Sequence, residues 1–83
     1  MLKRELKPRP LSARERSICL LLLEGANNRE ISSELGISYG VVKNRLGPIY
    51  DKLCVRDRVQ LIVHYGKNGG KDLGPVAMEG KRP

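Results

Sequence analysis

The feature that most constrains this chain is the stretch Asn28 to Leu53, where a short helical pattern, a tight turn around Gly36 and a second, longer helical pattern follow one another closely. In the second pattern Val42, Leu46, Ile49 and Leu53 recur at steps of four, three and four. One stripe of that helix therefore faces a core, and the opposite face carries Lys43 and Asn44. Two helices joined so closely suggest a helix-turn-helix, a unit whose second helix can enter a DNA major groove.

The flanking residues extend the same all-α plan. Pro8 and Pro10 end a basic arm, and Ser12 followed by Glu15 reads as a capping box that opens helix 1, from about Ser12 to Glu24. Gly25 suits the left-handed position past that helix, and Asn27 or Asn28 can cap helix 2, which ends near Leu35. Gly36 makes the turn, Ile37 can pack inward, and Ser38 caps helix 3, which runs to about Leu53. Asp57 with Gln60 repeats the capping box and opens helix 4, Arg58 to about Tyr65, with Val59, Ile62 and Val63 as its apolar face. From Gly66 to Pro83 the chain has few aliphatic residues and reads as a flexible tail.

With 83 residues there is room for one small domain and little room for a large substrate cavity. Sixteen Lys and Arg against nine Asp and Glu give +7, a balance that favours polyanionic partners. Residues 1 to 10 hold four basic and one acidic side chain, and residues 66 to 83 hold four and two, so both tails are more basic per residue than the domain between them. Cys19 and Cys54 lie in or beside apolar helical pattern, as small buried thiols in a reducing compartment would. The longest apolar run, Ile18 to Leu23, is far short of the roughly 20 residues of a membrane span, and Met1 to Pro10 holds no apolar signal region. The expectation is a soluble cytoplasmic protein with no membrane partner and no evident small-molecule ligand. An enzyme is not expected: His64 is the sole His, and no Cys or carboxylate pair has ligand or nucleophile spacing around it.

Leu11-Ser12-Ala13-Arg14-Glu15-Arg16, Gly25, Asn28-Arg29-Glu30-Ile31, Leu35, Ile37-Ser38, Val42-Lys43, Ile49-Tyr50, Lys52-Leu53, Val55 and Arg58 together closely resemble the LuxR/GerE-type helix-turn-helix domain. The match covers residues 11 to 65 without a gap. The resemblance implies a bacterial transcription regulator of four helices that binds double-stranded DNA, with helix 3 in the major groove, helix 4 contributing a homodimer contact, and no cofactor or metal. Because only ten residues precede the domain, the chain looks like the stand-alone GerE type, controlled by abundance, dimerisation or another protein.

On this resemblance Lys43 and Asn44 are the base-contact candidates, since Lys donates to guanine O6 and N7 and Asn pairs with adenine N6 and N7. Arg29, Tyr39, Arg45 and Lys52 are the candidates for phosphate contacts, and Val59, Ile62 and Val63 for the dimer interface. Arg14 and Arg16 read as solvent-facing, Arg58 as structural at the junction of helices 3 and 4, and Lys3, Arg4, Lys7 and Arg9 as an arm that can follow the DNA backbone.

Two departures fall in the recognition helix. Val41 stands where the family commonly has Thr, which removes a hydroxyl suited to a phosphate. Pro48 deletes the bond to the Asn44 carbonyl at a cost on the order of 3 kcal/mol in a helix interior, with about 1 more for Gly47. Since the apolar stripe keeps its phase from Leu46 to Ile49, a kinked helix is expected rather than a loop. The alternative function is a degenerate helix-turn-helix that binds protein, capturing a family regulator or RNA polymerase.

Overall fold

In a computed structural model, residues 8–74 are described. They form α1 (Ala13–Leu23), α2 (Asn28–Leu35), α3 (Tyr39–Lys52) and α4 (Arg58–Tyr65), followed by a single 3-10 turn, Lys71–Leu73. No strand occurs among the described residues, so the chain is all-α as the sequence implies.

Each helix starts where a short polar side chain can take up an orphan N–H. The Glu15 N–H donates to Ser12 Oγ (3.1 Å) and the Ser12 N–H to Glu15 Oε1 (2.9 Å), a complete capping box. Asn27 and Glu30 build a second one at 2.8 Å in both directions, which settles the cap of α2 on Asn27 rather than Asn28. Ser38 Oγ accepts from Val41 (3.1 Å), and Asp57 Oδ1 from Gln60 (3.0 Å). The Gln60 amide does not close the expected box. Its Oε1 instead accepts from the Arg56 N–H at 2.8 Å, one residue further back.

The turn between α2 and α3 rests on Gly36, which adopts φ +66°, a conformation that costs other residues roughly 1–2 kcal/mol. Across it the Ser32 hydroxyl donates to the Ile37 carbonyl (2.7 Å) and the Ile37 N–H returns a bond to the Ser32 carbonyl (3.1 Å). That pair of bonds fixes the angle at which α3 leaves α2.

The core joins Leu11, Ile18, Cys19 and Leu22 of the first segment to Ile31, Val42, Ile49, Leu53, Val55, Leu61 and Tyr65. Of the four stripe residues, Val42 and Ile49 of α3 and Leu53 just past its end are buried, and Leu46 packs against them half-buried. The helix runs unbroken through Gly47 and Pro48, both exposed, so the Asn44 carbonyl loses its helical partner on the side where water replaces it.

Four expectations are corrected here. The face of α4 that meets the core is Leu61 and Tyr65, whose hydroxyl donates to the Leu53 carbonyl at 3.2 Å, whereas Val59, Ile62 and Val63 form a second apolar stripe that faces solvent. Cys54 is exposed, because it takes the left-handed conformation (φ +60°) just past α3 and turns its side chain away from the core; only Cys19 is buried.

The third concerns the tail. Residues 66–74 pack on the domain: α1 is apolar all round between Ile18 and Leu23, and the faces that α2 to α4 leave uncovered need burial. Buried Gly70 sits so close to α1 that a Cβ there would lie 2.5 Å from Leu20 and 3.3 Å from Leu23, and Leu73 enters the core. Arg16, expected to face solvent, donates to the Gly74 carbonyl and fastens this strap to α1. Residues 75–83 of the expected tail, and Lys3, Arg4 and Lys7 of the expected arm, lie outside the described residues.

Candidate nucleic-acid interface

Burial of Val42 and Ile49 sets the rotation of α3 about its axis and thereby presents Lys43, Asn44 and Arg45 to solvent on the other side. All three are exposed and carry no ion pair among the described residues, whose bridges are Arg9–Asp51 and Lys52–Glu15. Their donors are thus unspent. Gly47 continues this face one turn later with open space beside it, a stretch of bare backbone on the helix surface.

Arg29, on the first turn of α2, and Tyr39, the first residue of α3, are brought together across the helix-turn-helix. The guanidinium carbon lies 5.5 Å from the ring centroid, within cation–π range. Both are exposed. Val41, in place of a hydroxyl residue, is half-buried.

Lys52 does not join this set. Its Nζ donates to Glu15 Oε1 at 2.8 Å, and its side chain is 29% exposed against 4% for Glu15. Burial alone would raise the Glu15 carboxyl, but the Lys52 ammonium and the Ser12 N–H and hydroxyl outweigh it and hold the group below the ordinary carboxylate range. Lys52 is thereby a structural tie between the end of α3 and the start of α1, and the phosphate role expected of it is withdrawn. Glu15 was visible in the sequence only as a capping residue; its 37-residue reach to Lys52 left no local signal.

Arg58 is structural, as expected, but at a different place. It donates to the Ala26 carbonyl at 2.5 Å and so ties α4 to the turn between α1 and α2. Arg9 meets Asp51 at 3.6 Å with both side chains mostly exposed, an ion pair of small energetic weight, while its N–H donates to the Lys52 carbonyl at 2.7 Å. The start of the domain is therefore laid against the end of α3. Cys19, buried on α1, has its thiol pushed up to about 11 by burial, and its distance from solvent sets it apart from exposed Cys54 and exposed His64.

Among known proteins, the bacterial regulatory proteins of the luxR family (GerE) match residues 9–65. The chain belongs to that family. It is similar to the spore germination protein GerE of Bacillus subtilis (strain 168), with 35% identity over 74 residues that cover 88% of this chain and all of the relative. It is also 37% identical to the transcriptional regulatory protein DesR of the same organism over 60 residues, and 41% identical to its transcriptional regulatory protein LnrK over 59. Those matches cover 72% and 71% of this chain but only 30% and 27% of the two relatives, so the chain spans less than a third of their length. The four helices described above thus fall within the residues that match the luxR family. Among the described residues no helix is long and apolar enough to cross a membrane.

Proposed function

We propose that this luxR-family chain binds double-stranded DNA sequence-specifically by laying α3 in the major groove, and that it does so as a homodimer through α4. The observation that carries the reading is the exposed, unpaired face of α3, where Lys43, Asn44 and Arg45 stand opposite the buried Val42 and Ile49. Lys43 and Asn44 then read base edges, while Arg45 and Arg29 take phosphates at either side. The dimer part is supported by the outer stripe of α4: Val59, Ile62 and Val63 are 68%, 40% and 56% exposed, a run of aliphatic surface on an eight-residue helix that burial against a second copy would remove from water. Two-fold symmetry in the protein would then appear as two-fold symmetry in the operator.

A second reading, in which the chain captures another regulator or RNA polymerase, draws on Gly47, whose exposed position offers a groove no side chain. Selection from a pool of random duplex DNA at low salt distinguishes the two. A two-fold-related motif that is enriched by the intact protein and lost in Lys43→Ala and Asn44→Ala supports the DNA reading; binding that never enriches a sequence refutes it.

A further inference from the structure

We infer that Tyr39 is a positioning residue: its ring holds the Arg29 guanidinium in place for a DNA phosphate, and its hydroxyl takes no part. The inference rests on the DNA-binding reading above and adds to it the device that orients one backbone contact.

Arg29 belongs to α2 and Tyr39 to α3, so the pair bridges the two helices of the helix-turn-helix beside the recognition face. Tyr39 is 46% exposed and stands outside the hydrophobic core, and over its ring lies the Arg29 guanidinium carbon, at 5.5 Å. The Arg29 side chain has no carboxylate partner and no hydrogen bond among the described residues, unlike Arg16 and Arg58, which both donate to carbonyls, and Arg9, which meets Asp51. The ring is therefore the one described group that restrains it. A guanidinium held over a ring face spends no donor on a carboxylate or carbonyl, and its planar fork of N–H groups matches a phosphate. Restricting a long side chain before DNA arrives reduces the ordering cost at binding. Next to Tyr39, Gly40 leaves room for a strand to approach, since a Cβ there would meet nothing nearer than Ser38 Oγ at 3.9 Å.

The test is a double-mutant cycle on the full chain, read as affinity for a labelled duplex of random sequence across a salt series, with thermal melts of every variant to verify folding. Tyr39→Leu is expected to weaken binding about two- to fivefold, the equivalent of the 0.5–1 kcal/mol of an exposed cation–π pair. Tyr39→Phe, which keeps the ring, restores wild-type affinity, and Tyr39→Leu costs nothing further once Arg29 is Ala. Arg29→Ala lowers the salt slope by about 0.9, the contribution of one phosphate. Equal losses from Tyr39→Leu in both backgrounds, or a Tyr39→Phe loss as large as that of Leu, would overturn the inference by showing that Tyr39 meets DNA itself. If the wild-type chain binds no duplex at any salt, the DNA-binding reading fails and this one with it; if the wild type binds and only the cycle fails, the positioning role alone is lost.

Discussion

Replacing Lys52 by Met should cost stability and leave DNA binding alone. The variant keeps the aliphatic stem and removes the ammonium that lies 2.8 Å from Glu15 Oε1. Deleting one member of a fully buried pair costs roughly 3–5 kcal/mol, but Lys52 is 29% exposed, and Oε1 keeps its bond from the Ser12 N–H. A charge-assisted hydrogen bond is the better measure, and it gives about 2 kcal/mol. In a domain of this size that is a fall of about 8–16 °C in melting temperature, followed by circular dichroism near pH 7. The pH dependence is fixed in sign. The Glu15 carboxyl is depressed in the folded protein, so its contribution is fully present above the unfolded-state value and is lost as pH falls through the folded one. The gap between wild type and Lys52→Met should therefore be widest near neutrality and close in acid as Glu15 protonates. Meanwhile the salt slope of DNA binding should not change, because the ammonium is already committed to Glu15. A gap that persists undiminished in acid, or a slope that drops by about 0.9, would refute the assignment and return Lys52 to the phosphate contacts.

Leu73→Ala should destabilise the fold by about 2–3 kcal/mol in urea titrations, because Leu73 is 5% exposed and closes the core under the strap. Gly47→Ala should raise stability by about 0.5–1 kcal/mol, since a Cβ there meets nothing within 4 Å and the helical backbone suits alanine; a loss in the same melts would show a contact at that site. If the proposed dimer through α4 holds, Ile62→Asp should shift sedimentation to the monomer while the melting temperature stays within a few degrees, as expected of a 40%-exposed site. An aromatic disulfide reagent at about pH 8 should modify Cys54 rapidly and Cys19 only as the protein unfolds, because Cys19 is buried with its thiol pushed up to about 11.

What the sequence made legible was local. Ser12, Asn27, Ser38 and Asp57 each precede their helix by one residue and each caps it in the structure, and Gly36 stands where a left-handed turn is needed. Those signals act over three or four residues, the range that reading along a chain can reach. The same periodicity was ambiguous on α4, which carries two apolar stripes: Leu61 with Tyr65, and Val59 with Ile62 and Val63. Spacing marks both as apolar and says nothing of which has the rest of the chain beneath it. The strap was missed for a related reason. Gly69, Gly70 and Gly74 read as flexibility, yet all three adopt positive φ, and buried Gly70 fits against Leu20 because it lacks a side chain. Of the proposed interface, the exposed face of Lys43, Asn44 and Arg45 follows from the phase of α3. The pairing of Lys52 with Glu15 and of Arg29 with Tyr39 depends on how helices meet, and composition carries no trace of it.

Gly47 and Pro48 acquire a common meaning from that geometry. The helix has to serve two ends: its first half offers Lys43, Asn44 and Arg45 to solvent, while its last turn carries Lys52 into the pair with Glu15 and Leu53 into the core. Gly47 and Pro48 sit between these tasks, both exposed. A proline in the middle of a solvent-facing surface forfeits the Asn44 carbonyl's helical bond to water rather than to a buried void, so its cost falls well below that of a buried break. Pro48→Ala restores the N–H and should stabilise the domain by about 1–3 kcal/mol. If the DNA reading holds, affinity for a selected operator then distinguishes two cases. Unchanged affinity means that the groove contacts end at Arg45 and that α3 beyond it serves only the fold. Reduced affinity, in a variant that melts higher than wild type, means that the backbone around Pro48 is itself shaped to the groove, because no loss of folding can account for it.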